Sequence, residues 1–212
     1  MKKLIYLFGA ILGLGLIACE QEPDMDKLSG EYVVFTSRDT TASFSSYSTF
    51  YVADSILLID HSETPEYWSG TNATQLIQAF VTQMSAHGFT QVTEKSEATL
   101  GLQISYVKST YYLAGYGSSP WWNSWTGYWY PGYWGGYWGG GWNYPPVFYS
   151  YSTGSLLADL VTLEATQGAT ATLPVVWNAY IGGLLGSSGT LNVSLATTAI
   201  QQAFTQSPYL KQ

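Results

Sequence analysis

Residues 121–146 read WWNSWTGYWYPGYWGGYWGGGWNYPP, which is seven of the chain's nine tryptophans and no charged residue. Any fold of these 212 residues must accommodate that stretch. Glycine, proline, serine and asparagine interrupt the aromatics every two to four positions. Neither a helical nor a strand period survives such spacing, and glycine costs stability in both elements. No apolar run reaches the roughly 18 residues of a spanning helix, and irregular backbone is not tolerated in hydrocarbon. The stretch is therefore expected to be an insertion, from about 109 to 150, carried by a domain that folds around it.

The flanks supply that domain. Tyr32–Arg38 (YVVFTSR) is rich in branched and aromatic residues and predicts a strand. One long strand or two short ones are expected between Tyr47 and Asp60, then a loop over His61–Gly70. Ala73, Leu76, Ile77, Phe80, Val81 and Met84 recur at helical spacing. They predict a helix over Thr71–His87, capped by Thr71 or Asn72 and ended by Gly88. Phe89–Val92 opens another strand. Leu100, Leu102, Ile104 and Tyr106 alternate with polar or small residues, the mark of a half-buried strand. Beyond the insertion, Gly154–Glu164 and Leu173–Gly183 predict two more strands with a turn near Gln167-Gly168. Asn192 can cap a last helix whose apolar face is Ala196, Ala199, Ile200, Ala203 and Phe204, with Pro208 at its end.

The expected class is α+β: an antiparallel β-sheet with two α-helices packed on one face, plus the long Gly/Trp/Tyr-rich insertion. Strands 98–108 and 154–164 flank the insertion and should pair.

The first residues, MKKLIYLFGAILGLGLIAC, combine a positive start with an apolar stretch, Leu4–Ile17. At 1.5 Å per residue that stretch is short for a bilayer core of about 30 Å, and its length suits a signal peptide. Leu16-Ile17-Ala18-Cys19 resembles the lipobox of bacterial lipoproteins. The resemblance implies cleavage after residue 18, acyl chains on Cys19, and stable anchoring without a transmembrane span. Cys19 is the only cysteine, so no internal disulfide can form, and stability must come from a core. Residues 19–29 then form an acidic tether to a domain over 30–210. Glu20 is not the aspartate that retains lipoproteins in the inner membrane of enteric bacteria, which points to the outer membrane, on its periplasmic side or at the cell surface. Acidic residues directly after the cysteine also resemble a surface-export signal of Bacteroidetes lipoproteins; a plain solvated linker fits equally.

Without Lys2 and Lys3 the chain carries five basic and fourteen acidic residues. That balance argues against nucleic acid, which demands basic patches, and against electrostatic attraction to anionic lipid.

SFSSYSTFYV (43–52), EATLGLQISY (97–106), YSTGSLLADLVTLEA (151–165), VVWNAYIGGLL (175–185) and AIQQAFTQSPYL (199–210) resemble, in order, the DUF4136 family of bacterial lipoproteins. The resemblance covers about residues 30–210 and implies the fold and an envelope location. It implies no activity, cofactor or catalytic residue. The chain departs from the pattern at Asn178, where the family often has a basic residue, and at Ser43, where it often has Asp.

Chemistry-bearing residues are sparse. His61 lies in a polar loop, and His87 is placed to complement a helix dipole; no ligand set with metal-site spacing occurs. Asp54, Asp60, Glu63 and Glu66 leave a carbohydrate-active enzyme using surface carboxylates as the alternative reading, since glycosidases need two facing carboxylates. Asp159 stands alone in an apolar strand and is expected on the solvent side of the sheet. Asp39-Thr40-Thr41 and Asp54-Ser55-Ile56 resemble a short O-glycosylation motif of Bacteroidetes.

No cofactor is expected. The flat faces of Trp121, Trp122, Trp125, Trp129, Trp134, Trp138, Trp142, Tyr128, Tyr133 and Tyr137 suit sugar rings or a partner protein's surface. The expected function is non-catalytic binding or cell-envelope organisation, with a glycan or an envelope protein as partner besides the membrane. The plain alternative is a loop folding back over its own domain.

Overall fold

The computed structural model describes residues 32–59, 66–108, 111–112, 150–151, 153–163 and 175–212. The expected signal peptide and tether, Cys19 and the aromatic stretch lie outside these. So do Asp60, His61, Glu63 and the turn at Gln167-Gly168.

In chain order the strands are β1 (Val33–Arg38), β2 (Thr49–Val52), β3 (Ile56–Ile59) and β4 (Glu66–Trp68), then helix α1 (Thr71–Ala86) and β5 (Thr90–Gln91). They continue as β6 (Leu100–Val107), β7 (Tyr111–Tyr112), β8 (Ser150–Tyr151), β9 (Ser155–Thr162), β10 (Val175–Gly182) and helix α2 (Val193–Thr205). The main sheet runs β1-β10-β9-β6-β2-β5, with β3 also on β6 and β4 on β3. The expected pairing across the insertion is present: β6 and β9 are antiparallel, from Leu100↔Thr162 to Val107↔Ser155.

The sheet is mostly antiparallel but mixed. β2 and β3 both run parallel to β6, and β5 runs parallel to β2. The cause is α1, which returns the chain to the end of the sheet where β2 began; a helical crossover makes its strands parallel. Both helices lie on one face. Phe50, Leu102, Ile104, Leu156, Leu160, Trp177 and Ile181 project from the sheet into a core closed by Leu76, Phe80, Met84, Ile200 and Phe204. Rings pack at its centre, with Phe204 centroids 6.2 Å from Phe80 and 5.3 Å from Trp177.

Of the two expectations for the stretch after Tyr47, the structure has the two short strands, β2 and β3. Several other local expectations change. Part of the expected loop, Glu66–Trp68, is a strand on β3, and Trp68 packs 5.6 Å from Tyr106. Neither Thr71 nor Asn72 caps α1; the cap position is Gly70, at φ 103°, with no side-chain bond. α2 begins as expected, with Asn192 accepting from Leu195 N at 3.1 Å. β6 is buried on both faces rather than one. In register, Ser105 sits between Leu57 and Leu157, and Gly101 between Tyr51 and Val161, so larger neighbours overshadow its small residues.

Candidate functional site

Alternation along the strands assigns a polar row to the face opposite the helices. Leu156, Ala158 and Leu160 point to the helices, which puts Asp159 on the other face. The same parity places Gln103 on β6, Asn178 on β10 and Ser37 on β1 there. These four are in register: Gln103↔Asp159, Asp159↔Asn178 and Asn178↔Ser37. One row thus crosses four adjacent strands. Each of the three central strands contributes a single large polar residue amid apolar or small ones.

The row is poorly solvated. Gln103 is buried, Asp159 and Asn178 are partly buried, and desolvation pushes the Asp159 carboxyl up to about 7. No neighbouring charge contributes to that rise. Asn178 Oδ1 is buried and accepts no hydrogen bond. Gln103 Nε2 lies 3.5 Å from Ser105 Oγ, while Ser155 Oγ donates to Tyr180 Oη at 3.0 Å. Beside the row, Ile59, Val107 and Leu157 form a small apolar cluster packed by Tyr180. Asp159 therefore lies on the expected side of the sheet, but half-buried between Gln103 and Asn178 instead of in open solvent.

Three of the described cations are engaged elsewhere, and Lys211 is exposed near the end of the chain. Arg38 stacks 4.0 Å over the Tyr209 ring, Lys95 lies over Tyr51, and Lys108 pairs with Glu66 at 3.0 Å. What the row offers chemically is a carboxyl beside an amide oxygen that accepts no hydrogen bond. Among the described residues there is no group of three or more His, Cys, Asp or Glu that could hold a metal ion. Asp54 is exposed in the turn between β2 and β3, and Glu66 is occupied by Lys108. His87 ends α1, with Nδ1 bonded to the Leu210 carbonyl and its ring against Phe204. Asp39 Oδ1 accepts from both Thr41 N and Thr41 Oγ1, an ordinary turn, in an exposed stretch.

The sequence marked Asp159, and the family resemblance marked Asn178, but neither pointed to Gln103 or to their alignment. The signal available was the lone central polar residue in LGLQISY, SLLADLV and VVWNAYI. Only the register aligns them, and that depends on pairings between distant segments.

The residues expected to make contact all lie outside the described set: Cys19 and Trp121, Trp122, Trp125, Trp129, Trp134, Trp138, Trp142, Tyr128, Tyr133 and Tyr137. The base of the insertion is described. β7 and β8 pair antiparallel, Tyr111↔Tyr151 and Tyr112↔Ser150, as a separate two-stranded ladder. Beneath it, Gly154 N donates to Val107 O at 2.8 Å, and Lys108 N to Ile59 O at 2.9 Å. Among the described residues no helix is long and apolar enough to cross a membrane.

A family model described as a domain of unknown function, DUF4136, matches residues 34–209. The crystal structure of a DUF4136 family protein from Bacteroides thetaiotaomicron is similar at 47% identity and a TM-score of 0.74, covering 85% of this chain and 98% of that one. A dodecameric PelC variant from Paraburkholderia phytofirmans aligns at 14% identity and a TM-score of 0.40, over 85% of this chain and 98% of that one. No functionally curated protein matches.

Proposed function

The chain belongs to the DUF4136 family, a domain of unknown function, and from that premise we propose that it is a lipid-anchored envelope protein that acts by binding rather than catalysis. Its contact surface is the aromatic insertion. Acyl chains on Cys19 hold it to the outer membrane, and residues 19–29 let the domain stand away from the lipid. The start of the sequence supports the anchor: Lys2 and Lys3, an apolar stretch, then Leu16-Ile17-Ala18-Cys19.

One observation carries the binding reading. The insertion opens from β6 and β9, two of the longest strands, which lie side by side in the sheet, and its first and last residues pair as the β7–β8 ladder. A paired base and a stretch rich in Trp and Tyr suit a contact made with low entropy cost, because these side chains have few rotatable bonds. The absence of charge from 121–146 favours flat, weakly polar partners, either a sugar face or the apolar patch of an envelope protein.

The test replaces residues 113–149 by a short turn in the otherwise complete chain. Glycan-array binding and capture of envelope proteins should be lost while membrane anchoring persists. Equal binding by the shortened and intact chains would refute the insertion as contact surface. Failure of palmitate to incorporate, or its persistence in Cys19→Ser, would refute the anchor.

A further inference from the structure

Asn178 Oδ1 is an acceptor buried without a donor. Such atoms are rare, because leaving one unsatisfied costs most of its hydration. Directly across the ladder stands Asp159. Opposed residues in an antiparallel pair have Cβ atoms about 4.5–5.5 Å apart, within reach for two short polar side chains. An ionised carboxylate would bring a second acceptor to the first. A protonated one brings the missing donor.

We propose that Asp159 keeps its proton up to the edge of neutral pH and donates it to Asn178 Oδ1, forming a neutral carboxyl–amide bridge that serves as a pH-sensitive latch between β9 and β10. The surroundings favour the neutral form. On this face β6 presents Gly101, Gln103, Ser105 and Val107, β1 presents Val33, Phe35 and Ser37, and β3 presents Leu57 and Ile59. The titratable groups on the same face are Tyr180 on β10 and, at the far side, Tyr51 on β2. Lys95 sits over the Tyr51 ring, and Asp54 and Glu94 lie near it. None of them contributes to the raised Asp159 carboxyl, whose cause is desolvation.

Losing the proton leaves a poorly solvated charge facing a carbonyl oxygen. The β9–β10 contact then weakens. β9 is also the strand by which the chain re-enters the sheet after the insertion, so the latch lies next to the insertion's return path.

The experiment uses the full chain in mild detergent, labelled with carboxyl-13C aspartate, and compares it with Asp159→Asn. One aspartate resonance absent from the variant should titrate with a midpoint near 7. The folded pKa lies above the unfolded value of about 3.9. The contribution to stability is therefore whole below pH about 4 and disappears as pH rises through about 7. Denaturation from pH 4 to 9 should show this loss in the wild type but not in Asp159→Asn. Asn178→Arg, which supplies a cation in place of the acceptor, should return the midpoint to below 4. An Asp159 resonance already ionised at pH 5 overturns the latch. So does a midpoint that falls with added ammonium or sodium ion, since the pair would then be a cation site.

Discussion

Trp177 Nε1 donates to Ser207 Oγ at 2.9 Å, and both residues are fully buried. The bond ties the middle of β10 to the turn after α2, where Ser207 also donates to Tyr209 Oη. Tyr209 in turn lies under Arg38 and against Phe44. The carboxy-terminal turn is thus fastened to strand, helix and edge at once. Ser207→Ala leaves the indole N–H unpaired in the core and should cost about 1–3 kcal/mol. The same change in a Trp177→Phe background should cost at least about 1 kcal/mol less, because the donor is already gone. A double-mutant cycle by urea denaturation measures the difference.

Two glycines at positive φ should respond differently to a methyl group. Gly154, at φ +82°, begins the turn into β9, and a Cβ there would lie 2.3 Å from Leu185 Cγ. Gly189, at φ +72°, has nothing within 4 Å. Both alanine variants bear the left-handed strain of roughly 1–2 kcal/mol. Only Gly154→Ala adds overpacking, typically another 1–3 kcal/mol. Thermal or chemical denaturation should place Gly154→Ala below Gly189→Ala by at least about 1 kcal/mol.

The two helix starts make a second contrast. Asn192 caps α2 through Leu195 N, whereas α1 starts at Gly70 without a side-chain bond. Asn192→Ala should cost about 1 kcal/mol, while Thr71→Ala and Asn72→Ala, which cap nothing, should stay within about 0.5 kcal/mol of the wild type. Circular dichroism melts of the three variants give the ranking.

Local pattern carried much of this fold. The face of α1 from Ala73 to Met84 and that of α2 from Ala196 to Phe204 are both buried as their spacing requires. The pairing of β6 with β9 followed from their position on either side of the insertion. What local pattern lacked was partner choice. The parallel contacts of β2 and β3 with β6 join segments about fifty residues apart, and no residue type encodes that register. β4 was hidden because three residues after Pro65 are too few to show a period. The polar row failed for a related reason. Within one strand, Asp159 looks like an outward residue, and only the alignment with Gln103 and Asn178 shows that its surroundings are shared and poorly hydrated. The insertion was the reverse case, conspicuous in composition, while pattern alone said nothing about its base.

Shortening the insertion also tests what it does for its own domain. Replacing residues 113–149 by a four-residue turn makes the loop roughly ninefold shorter. Loop-closure entropy alone then stabilises the fold by about 2 kcal/mol. An opposing term arises only where the insertion shields apolar side chains of the sheet. The nearest such group is Ile59, Val107 and Leu157, and Tyr180 of the domain already packs against it. Exposing those three would cost roughly 1.5–3 kcal/mol each, enough to outweigh the entropy gain. A contact surface reserved for a partner predicts that the shortened chain is more stable by about 2 kcal/mol, with an unchanged dependence on urea. A loss of several kcal/mol would instead make the aromatic stretch a cover for its own sheet, with its rings already occupied and little left to offer a glycan or an envelope protein.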